Sequence, residues 1–451
     1  MGLFGSVSYK KNLRRSLREN YGRTPDPFYS AGDMATIRSY YDHMRERDPD
    51  TFRVDDVTWS DLDMDRVFKR INPGVSTPDE HWLYYMLRTP AMDAEEYARR
   101  ERLIHFAEEN EREREETQFL LGCLGRFRRA DVCSIFAPES SGYFTMVIYI
   151  LLALSLLCSP LSLIWLGAKG LLITLDLIMF EYLKNKLDGL QDDILAVFEA
   201  LGRVDAAIAV ASWRESMPLW CEPELDFETG ERYVEAESLV HPLLCSPVPN
   251  DLALDRPALV TGSNASGKST YLRTALLAAL LSQTACTCPG ASYRGAAFHV
   301  YSAMALRDDI LSGESYYIAE ILAAKRILDA AEAGEPVLCA VDEVLRGTNT
   351  IERISAASEI LLALKRSGAL CIAATHDLEL CTILAGEYAM LHFEETVTDE
   401  GMSFDYRVRP GKTETRNAIQ LLRLMGLDDE ITDRADERAA AFLRTGVWTG
   451  F

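Results

Sequence analysis

The sequence is short of cationic side chains, has no Cys-x-x-Cys spacing and shows no internal repeat of fixed period. Lysine and arginine total 47 against 69 acidic residues, a formal net charge of -22. That balance excludes a protein that wraps nucleic acid mainly by neutralising phosphates, so any such contact must be local. The ten cysteines are scattered, and the nearest pair, Cys286 and Cys288, has the spacing of neither a zinc site nor a redox motif. No cleavable signal peptide opens the chain, so reduced thiols and a cytoplasmic setting are expected. With 17 prolines and 27 glycines in 451 residues, a collagen-like or largely disordered chain is excluded. The 48% hydrophobic content permits a substantial core, and the length calls for two or three domains.

Residues 1–50 form a polar, aromatic-rich segment with a basic stretch from Lys10 to Arg18, read as a solvated helix face or a contact with anionic lipid. Gly2 and Ser6 match a loose myristoylation pattern. Residues 51–141 read as helical. Leu62, Val67, Phe68 and Ile71 fall at helical spacing before Pro73-Gly74, and a second apolar helix from His81 to Leu87 ends at Pro90. The run EENEREREE from Glu108 to Glu116 suits one long exposed helix laced by opposite charges. Residues 184–240 read as a returning helix followed by a lower-complexity approach to the next domain, and the three prolines between His241 and Asn250 mark its boundary. Over 241–410, short apolar runs at Ala258–Thr261, Phe298–Ser302, Val337–Val341 and Ala369–Ala374 alternate with helices, which predicts an α/β domain with a mostly parallel sheet. Residues 411–451 read as a helical tail.

Residues 262–269, GSNASGKS, complete the phosphate-loop pattern G-x-x-x-x-G-K-[ST] between the run ALVT and a helix beginning near Thr270. Glycines there let backbone N–H groups curl around phosphates, and the helix N-terminus adds its positive end. Lys268 is expected to reach the β and γ phosphates, and the Ser269 hydroxyl to ligate Mg2+. Downstream, the buried-strand run from Val337 to Val341 ends in Asp342-Glu343. Asp342 is placed to hold Mg2+ through water, and Glu343 to orient or deprotonate an attacking water. His376 follows the next strand, where a polar side chain can sense the γ phosphate.

These segments resemble one family, the MutS ATPases of the wider ABC-type class. TGSNASGKST (Thr261 to Thr270) is similar to the family's phosphate loop, with Asn264 at the asparagine used near the nucleotide. DDILSGESYYIAEI (Asp308 to Ile321) resembles its signature segment, DEVLRGTNT (Asp342 to Thr350) its acid pair and following loop, and ATHDLEL (Ala374 to Leu380) its histidine switch. The resemblance implies an ABC-type ATPase domain preceded by an all-α core and lever domain, with ATP and Mg2+ as cofactors. It also implies a homodimer in which Ser315 caps the partner's nucleotide. Asn250, Gly262, Ser263, Ala265, Ser266, Gly267, Lys268, Ser269 and Thr270 complete the implied nucleotide site, with Ser269 and Asp342 on the metal and Glu343 and His376 in catalysis. Val57 to Pro90 resembles the helical core that precedes the family's lever helices, and Pro410 to Ala435 the tail that packs its ATPase dimer. The departures are as definite. By this reading residues 1–50 leave no room for a mismatch-reading domain, no Phe-x-Glu wedge of the kind that stacks on a mispaired base is expected, and an apolar segment at 142–183 takes the place of the clamp.

That segment carries no charged residue from Gly142 to Ala168. Its length suits two crossings of a bilayer, with Ser159-Pro160 as the turn and basic residues flanking both ends. Lys169 and Asp176 weigh against this, since charges at a bilayer centre cost roughly 2.5–3.5 kcal/mol each on insertion scales. A helical hairpin buried in a dimer interface, or a re-entrant pair dipping into one leaflet, is the competing reading. Three functions follow. The resemblance implies an ATP-dependent sensor of damaged or mismatched DNA, and the apolar segment at 143–183 leads us to expect a cytoplasmic ATPase domain associated with a membrane. The net charge and apolar segment favour a membrane-tethered switch acting on a protein partner. The third is processing of branched DNA.

Overall fold

The computed structural model of the chain describes residues 3–126, 190–304, 316–398, 401–412, 419, 422–423 and 426–448, except positions 26, 229, 264 and 346. The chain divides into two compact units, one built from Met1–Thr51, Ile71–Tyr85 and Leu103–Ser212, the other from Phe52–Arg70, Met86–Arg102 and Trp213–Phe451. Helices in chain order are α1 (Leu3–Asn20), α2 (Ala31–Arg47), α3 (Asp56–Asp61), α4 (Met64–Ile71), α5 (Thr77–Arg88), α6 (Ala94–Glu109), α7 (Glu111–Leu124) and α8 (Gln191–Ser216). Then follow α9 (Lys268–Thr284), α10 (Tyr316–Glu332), α11 (Thr350–Arg366), α12 (Leu378–Ile383) and α13 (Asp429–Thr445).

The first unit is helical in its described residues. The start of α2 is fixed by a capping box, in which the Ser30 side chain accepts from the Asp33 amide and the Asp33 carboxylate accepts from the Ser30 amide. Tyr40 from α2 packs edge-on against His81 and Tyr85 and lies tilted against Phe198 of α8, with ring centroids 5.5–6.0 Å apart. Gly202 lets α8 approach α5 closely, because a Cβ there would lie 2.5 Å from Trp82 Cβ and 2.8 Å from the Pro78 carbonyl. The acidic run at 108–116 is not one long exposed rod. Asn110 separates α6 from α7, and α7 buries Arg114, Gln118, Phe119 and Leu121. Arg114 carries its charge inward by stacking 3.7 Å over Tyr21 and donating to the Ala107 carbonyl at 2.9 Å.

Two sheets organise the second unit, from strands β1 (Glu224–Asp226), β2 (Val234–Leu239), β3 (Asn250–Leu254), β4 (Ala258–Thr261), β5 (Ser292–Ala296), β6 (His299–Ala303), β7 (Val337–Asp342), β8 (Leu370–Thr375), β9 (Ala389–Thr398) and β10 (Gly401–Pro410). The larger sheet runs β10-β9-β4-β8-β7-β6, parallel throughout except for the β9–β10 hairpin, as the alternating pattern predicts. β4, β7 and β8 are buried at every residue, which is why they read as unbroken apolar runs rather than alternating ones. Beneath them Ile327 of α10 and Leu361 and Leu364 of α11 fill one core with Val337, Cys339 and Cys371. The edge strand β6 is covered: Thr58 accepts from the Ser302 amide at 3.1 Å, and Asp61 accepts from Ser302 Oγ at 2.6 Å and the Met304 amide at 3.0 Å.

The second sheet, β1-β5-β2-β3, corrects the reading of 217–240 as an irregular approach. β1 has three residues and β2 carries Glu235 and Glu237 on its exposed side, so neither gives an apolar run. Among the described residues no helix is long and apolar enough to cross a membrane. The apolar hairpin expected at 142–183 lies outside the described residues, as do Asn264 and Ser315.

Candidate functional site

In an open parallel sheet, ligands bind beyond the carboxyl ends of the strands where strand order reverses. β4 is that place, since its neighbours β8 and β9 lie on opposite sides of it. Register brings the motifs level: Thr261, just before the phosphate loop, pairs with Thr375, just before His376, and Asp342 pairs with Ala374.

The loop leaves β4 at Gly262, whose φ of 146° is open to glycine alone in practice, and a Cβ there would meet Ser266 Oγ at 2.9 Å. Gly267, at φ 108°, ends the turn and caps α9; a Cβ there would crowd Tyr406 at 3.3 Å. The buried Lys268 donates through Nζ to the Gly262 carbonyl at 2.6 Å and the Ser263 carbonyl at 2.8 Å. The Ser263 hydroxyl in turn donates to Glu395 of β9.

Ser269 Oγ donates to Asp342 Oδ2 at 2.5 Å, so the two side chains assigned to the metal meet across 73 positions of sequence. The other oxygen, Asp342 Oδ1, is buried and has no hydrogen-bond partner. An all-oxygen set with an orphaned carboxylate oxygen fits a hard divalent cation such as Mg2+.

Glu343 has a left-handed backbone, φ 57°, and Leu345 repeats it at 59°. Non-glycine residues in that region are strained and tend to mark functional sites. The Glu343 amide donates to the Ala374 carbonyl of β8 at 2.9 Å, which ties the turn to the sheet. Its buried carboxylate approaches His376 Nδ1 at 3.3 Å. Hydrogen bonding to Glu343 raises the His376 imidazole above its ordinary range, in opposition to partial burial. Sequence reasoning missed the device behind His376: Asp377 accepts two bonds from Arg353 of α11, at 2.7 and 2.9 Å, and its amide donates to Thr375 Oγ1 at 3.0 Å. The sequence His376-Asp377 was the available signal, but its arginine lies 24 positions away.

These residues border a cleft of about 330 Å³ lined by Asn250, Ser263, Ala265, Gly267, Lys268, Ser269, Thr270 and Glu343. Ser266, within the loop, is buried. Asn250 uses its amide structurally, donating to the Tyr406 carbonyl at 2.9 Å and accepting from the Val408 amide at 2.8 Å, and so fastens β3 to β10. The largely apolar part of the cleft wall was not foreseen. Leu239, His241, Leu244, Val248, Phe393 and Tyr406 supply it. Burial, helped by Arg273, pushes His241 down to about 4, so it is neutral near pH 7 and offers a flat, uncharged ring. A polar, N–H-rich end joined to an apolar slot is suited to a ligand with a phosphorylated and an aromatic part.

Comparison with known proteins matches residues 258–443 to MutS domain V. The DNA mismatch repair protein MutS of Carboxydothermus hydrogenoformans is 31% identical over 296 residues, covering 62% of this chain and 34% of that protein. The DNA mismatch repair protein MutS of Natronomonas pharaonis is 30% identical over 267 residues, covering 57% of this chain and 31% of that protein. The DNA mismatch repair protein MutS 2 of Halobacterium salinarum is 30% identical over 270 residues, with 57% and 30% covered. The chain thus spans about a third of the length of the curated relatives it matches. The phosphate loop, acid pair and histidine all fall within or at the edge of the stretch, residues 258–443, that is similar to MutS domain V.

Proposed function

We propose that this protein binds and hydrolyses ATP and acts by resemblance as an ATP-dependent sensor of damaged or mismatched DNA. The observation that carries the nucleotide chemistry is the meeting of Asp342 with Ser269, which lines the cleft together with Lys268 and Glu343. Lys268 is already held among the loop carbonyls, so nucleotide binding would redirect its ammonium from Gly262 and Ser263 to the phosphates. Ser269 and Asp342 would hold Mg2+, which when bound supplies positive charge against the phosphate oxygens. Glu343 would accept a proton from, or orient, the attacking water, and its strained backbone fixes where that carboxylate sits. His376, partnered by Glu343 and seated beside Asp377, would register whether the γ phosphate is present.

Two copies would share the nucleotide, with Ser315 of one chain capping the phosphates held by the other, and the helical region would carry the resulting motion. Support for DNA as the ligand comes from relatives that bear the name DNA mismatch repair protein. The test is ATP binding and phosphate release on the full chain, with and without heteroduplex DNA. Glu343→Ala should retain bound ATP and lose turnover. Turnover at the parent rate in that variant would remove Glu343 from the role.

A second reading keeps the ATPase and replaces DNA by a protein partner at a membrane. It is favoured by the net charge of -22 and by the uncharged stretch from Gly142 to Ala168. Fractionation of cells expressing the chain with and without residues 142–183 separates the two. Membrane pelleting that requires the segment, without heteroduplex preference, supports the second.

A further inference from the structure

Cys221 and Cys288 are far apart in sequence and directly opposed in the fold. The two residues form an antiparallel bridge just outside β1 and β5, and they exchange both backbone bonds: Cys221 N to Cys288 O at 2.9 Å, Cys288 N to Cys221 O at 3.0 Å. Directly opposed residues of this kind have Cα atoms roughly 5.5 Å apart, within the span a disulfide bridges without backbone movement. The two thiols lie close enough to perturb each other's ionisation. Cys221 is half-buried and reachable, and Cys288 lies fully buried behind it.

We propose that Cys221 and Cys288 are a peroxide-responsive pair that closes reversibly into a disulfide. The surroundings assign the roles. Arg214, stacked 4.7 Å over Trp220 and bonded to Thr287 Oγ1 at 2.8 Å, places a fixed positive charge near Cys221. The neighbouring Cys288 thiol, with Arg214 assisting, lowers the Cys221 thiol against the opposing effect of burial, whereas burial above all raises Cys288. The attacking sulfur is therefore Cys221 and the resolving one Cys288. The Cys221 thiolate attacks hydrogen peroxide, the O–O bond breaks, and Cys221 becomes a sulfenic acid as hydroxide leaves and is protonated to water. The Cys288 sulfur attacks that sulfenic sulfur, the S–S bond forms, the S–O bond breaks, and the departing hydroxide takes the Cys288 proton as a second water. Two thiols and one peroxide give one disulfide and two waters. A small-molecule dithiol restores the thiols by exchange and is itself oxidised.

Other pairings are disfavoured by the same geometry. Cys286 is two positions from Cys288, is buried and is directed to the Tyr97 carbonyl at 3.9 Å. Cys339 and Cys371 are register partners in β7 and β8 but are wholly enclosed in the sheet core. The closed bond would tie the segment entering β1 to the turn after α9, the helix that begins at the phosphate loop.

The experiment uses the full chain, reduced, freed of reductant and treated with near-stoichiometric hydrogen peroxide. Free thiols are then alkylated, and the protein is digested without reductant for mass spectrometry. The expected result is a linked Cys221–Cys288 peptide pair, lighter by two hydrogens than its separate parts, that disappears with dithiothreitol. Cys288→Ser should leave Cys221 as a sulfenic acid trapped by dimedone. Oxidation of the exposed Cys123 or Cys245 while Cys221 and Cys288 stay alkylatable would overturn the proposal, as would Cys221 linked to any other cysteine. The parent-chain mapping decides the matter even if the variant fails to fold.

Discussion

In the sheet-bearing unit, the buried carboxylates Asp342 and Glu343 stand at a strand end beside a cleft, facing a serine, a histidine and the loop that holds Lys268. In the helical unit, Asp79 and Asp205 are enclosed side by side, and Asp79 has both oxygens buried without a hydrogen-bond partner. Asp205 accepts from Ser76, while the neighbouring Glu80 takes Arg126 and, at 2.8 Å, the Tyr29 hydroxyl. Burial first, then Asp205 and Glu80, drives Asp79 well above the carboxylate range, and burial brings Asp205 up to about 7. The first arrangement keeps an unsatisfied acceptor where a ligand cation can reach it. The second satisfies its electrostatics by holding protons, because a charged pair so enclosed costs too much. Buried acid alone is therefore a poor guide to a site, and access with a complementary neighbour is a better one.

The sharpest way to break that contrast is Lys268→Ala. It should lower ATP turnover on the order of a hundredfold or more, read by phosphate release, with little change in unfolding by denaturant. Equal turnover would remove the cleft from the chemistry. Next is Gly202→Ala, which places a methyl group against Trp82 and the Pro78 carbonyl. It should cost about 3 kcal/mol in urea titration, because the α5–α8 backbones must separate.

The acid pair predicts a pH effect of known sign. Asp205 moves from an ordinary 3.8 to about 7, so the folded state holds a proton that the unfolded chain releases. Its contribution to stability is full below about 4 and is lost as pH rises through about 7. Asp205→Asn should flatten that slope and recover about 2 kcal/mol at pH 8, measured by denaturant titration at pH 5 and 8. An unchanged slope would mean that the pair is not the proton store.

The smallest effect belongs to the Glu343–His376 contact. The imidazole is raised above 6.5, so any stabilisation is full below that value and fades as pH rises through the folded one. With the His376 side chain 48% exposed, His376→Gln should shift stability by about 0.5 kcal/mol at most. A turnover change well beyond that shift would place His376 in the reaction cycle rather than in the fold.

The legible part of this molecule was local. ALVT, VLCAV and LCIAAT are buried at every position and almost wholly apolar because both faces of those strands are covered, and the phosphate loop needs glycine at 262 and 267 whatever surrounds it. The helical region was legible too, through Leu62, Val67, Phe68 and Ile71, all of which are buried. The break at Asn110 was hidden, since Glu and Arg at three- and four-residue spacing look alike on an exposed helix and on one that buries Arg114 beneath Tyr21. Likewise β1 and β2 were too short or too polar to show themselves before β5 and β3 paired with them.

By itself the sequence determined which residues could grip a phosphate, which runs must be buried, and that the chain resembles the MutS ATPases. The tertiary structure decided which distant groups meet. It brought Asp342 to Ser269, Arg353 to Asp377, Asp79 to Asp205, and Cys221 to Cys288 rather than to no cysteine at all. The reason is one of range. Backbone preference and hydrophobic period are fixed within a few residues, whereas charge, protonation and thiol reactivity depend on neighbours that only strand order and helix packing supply.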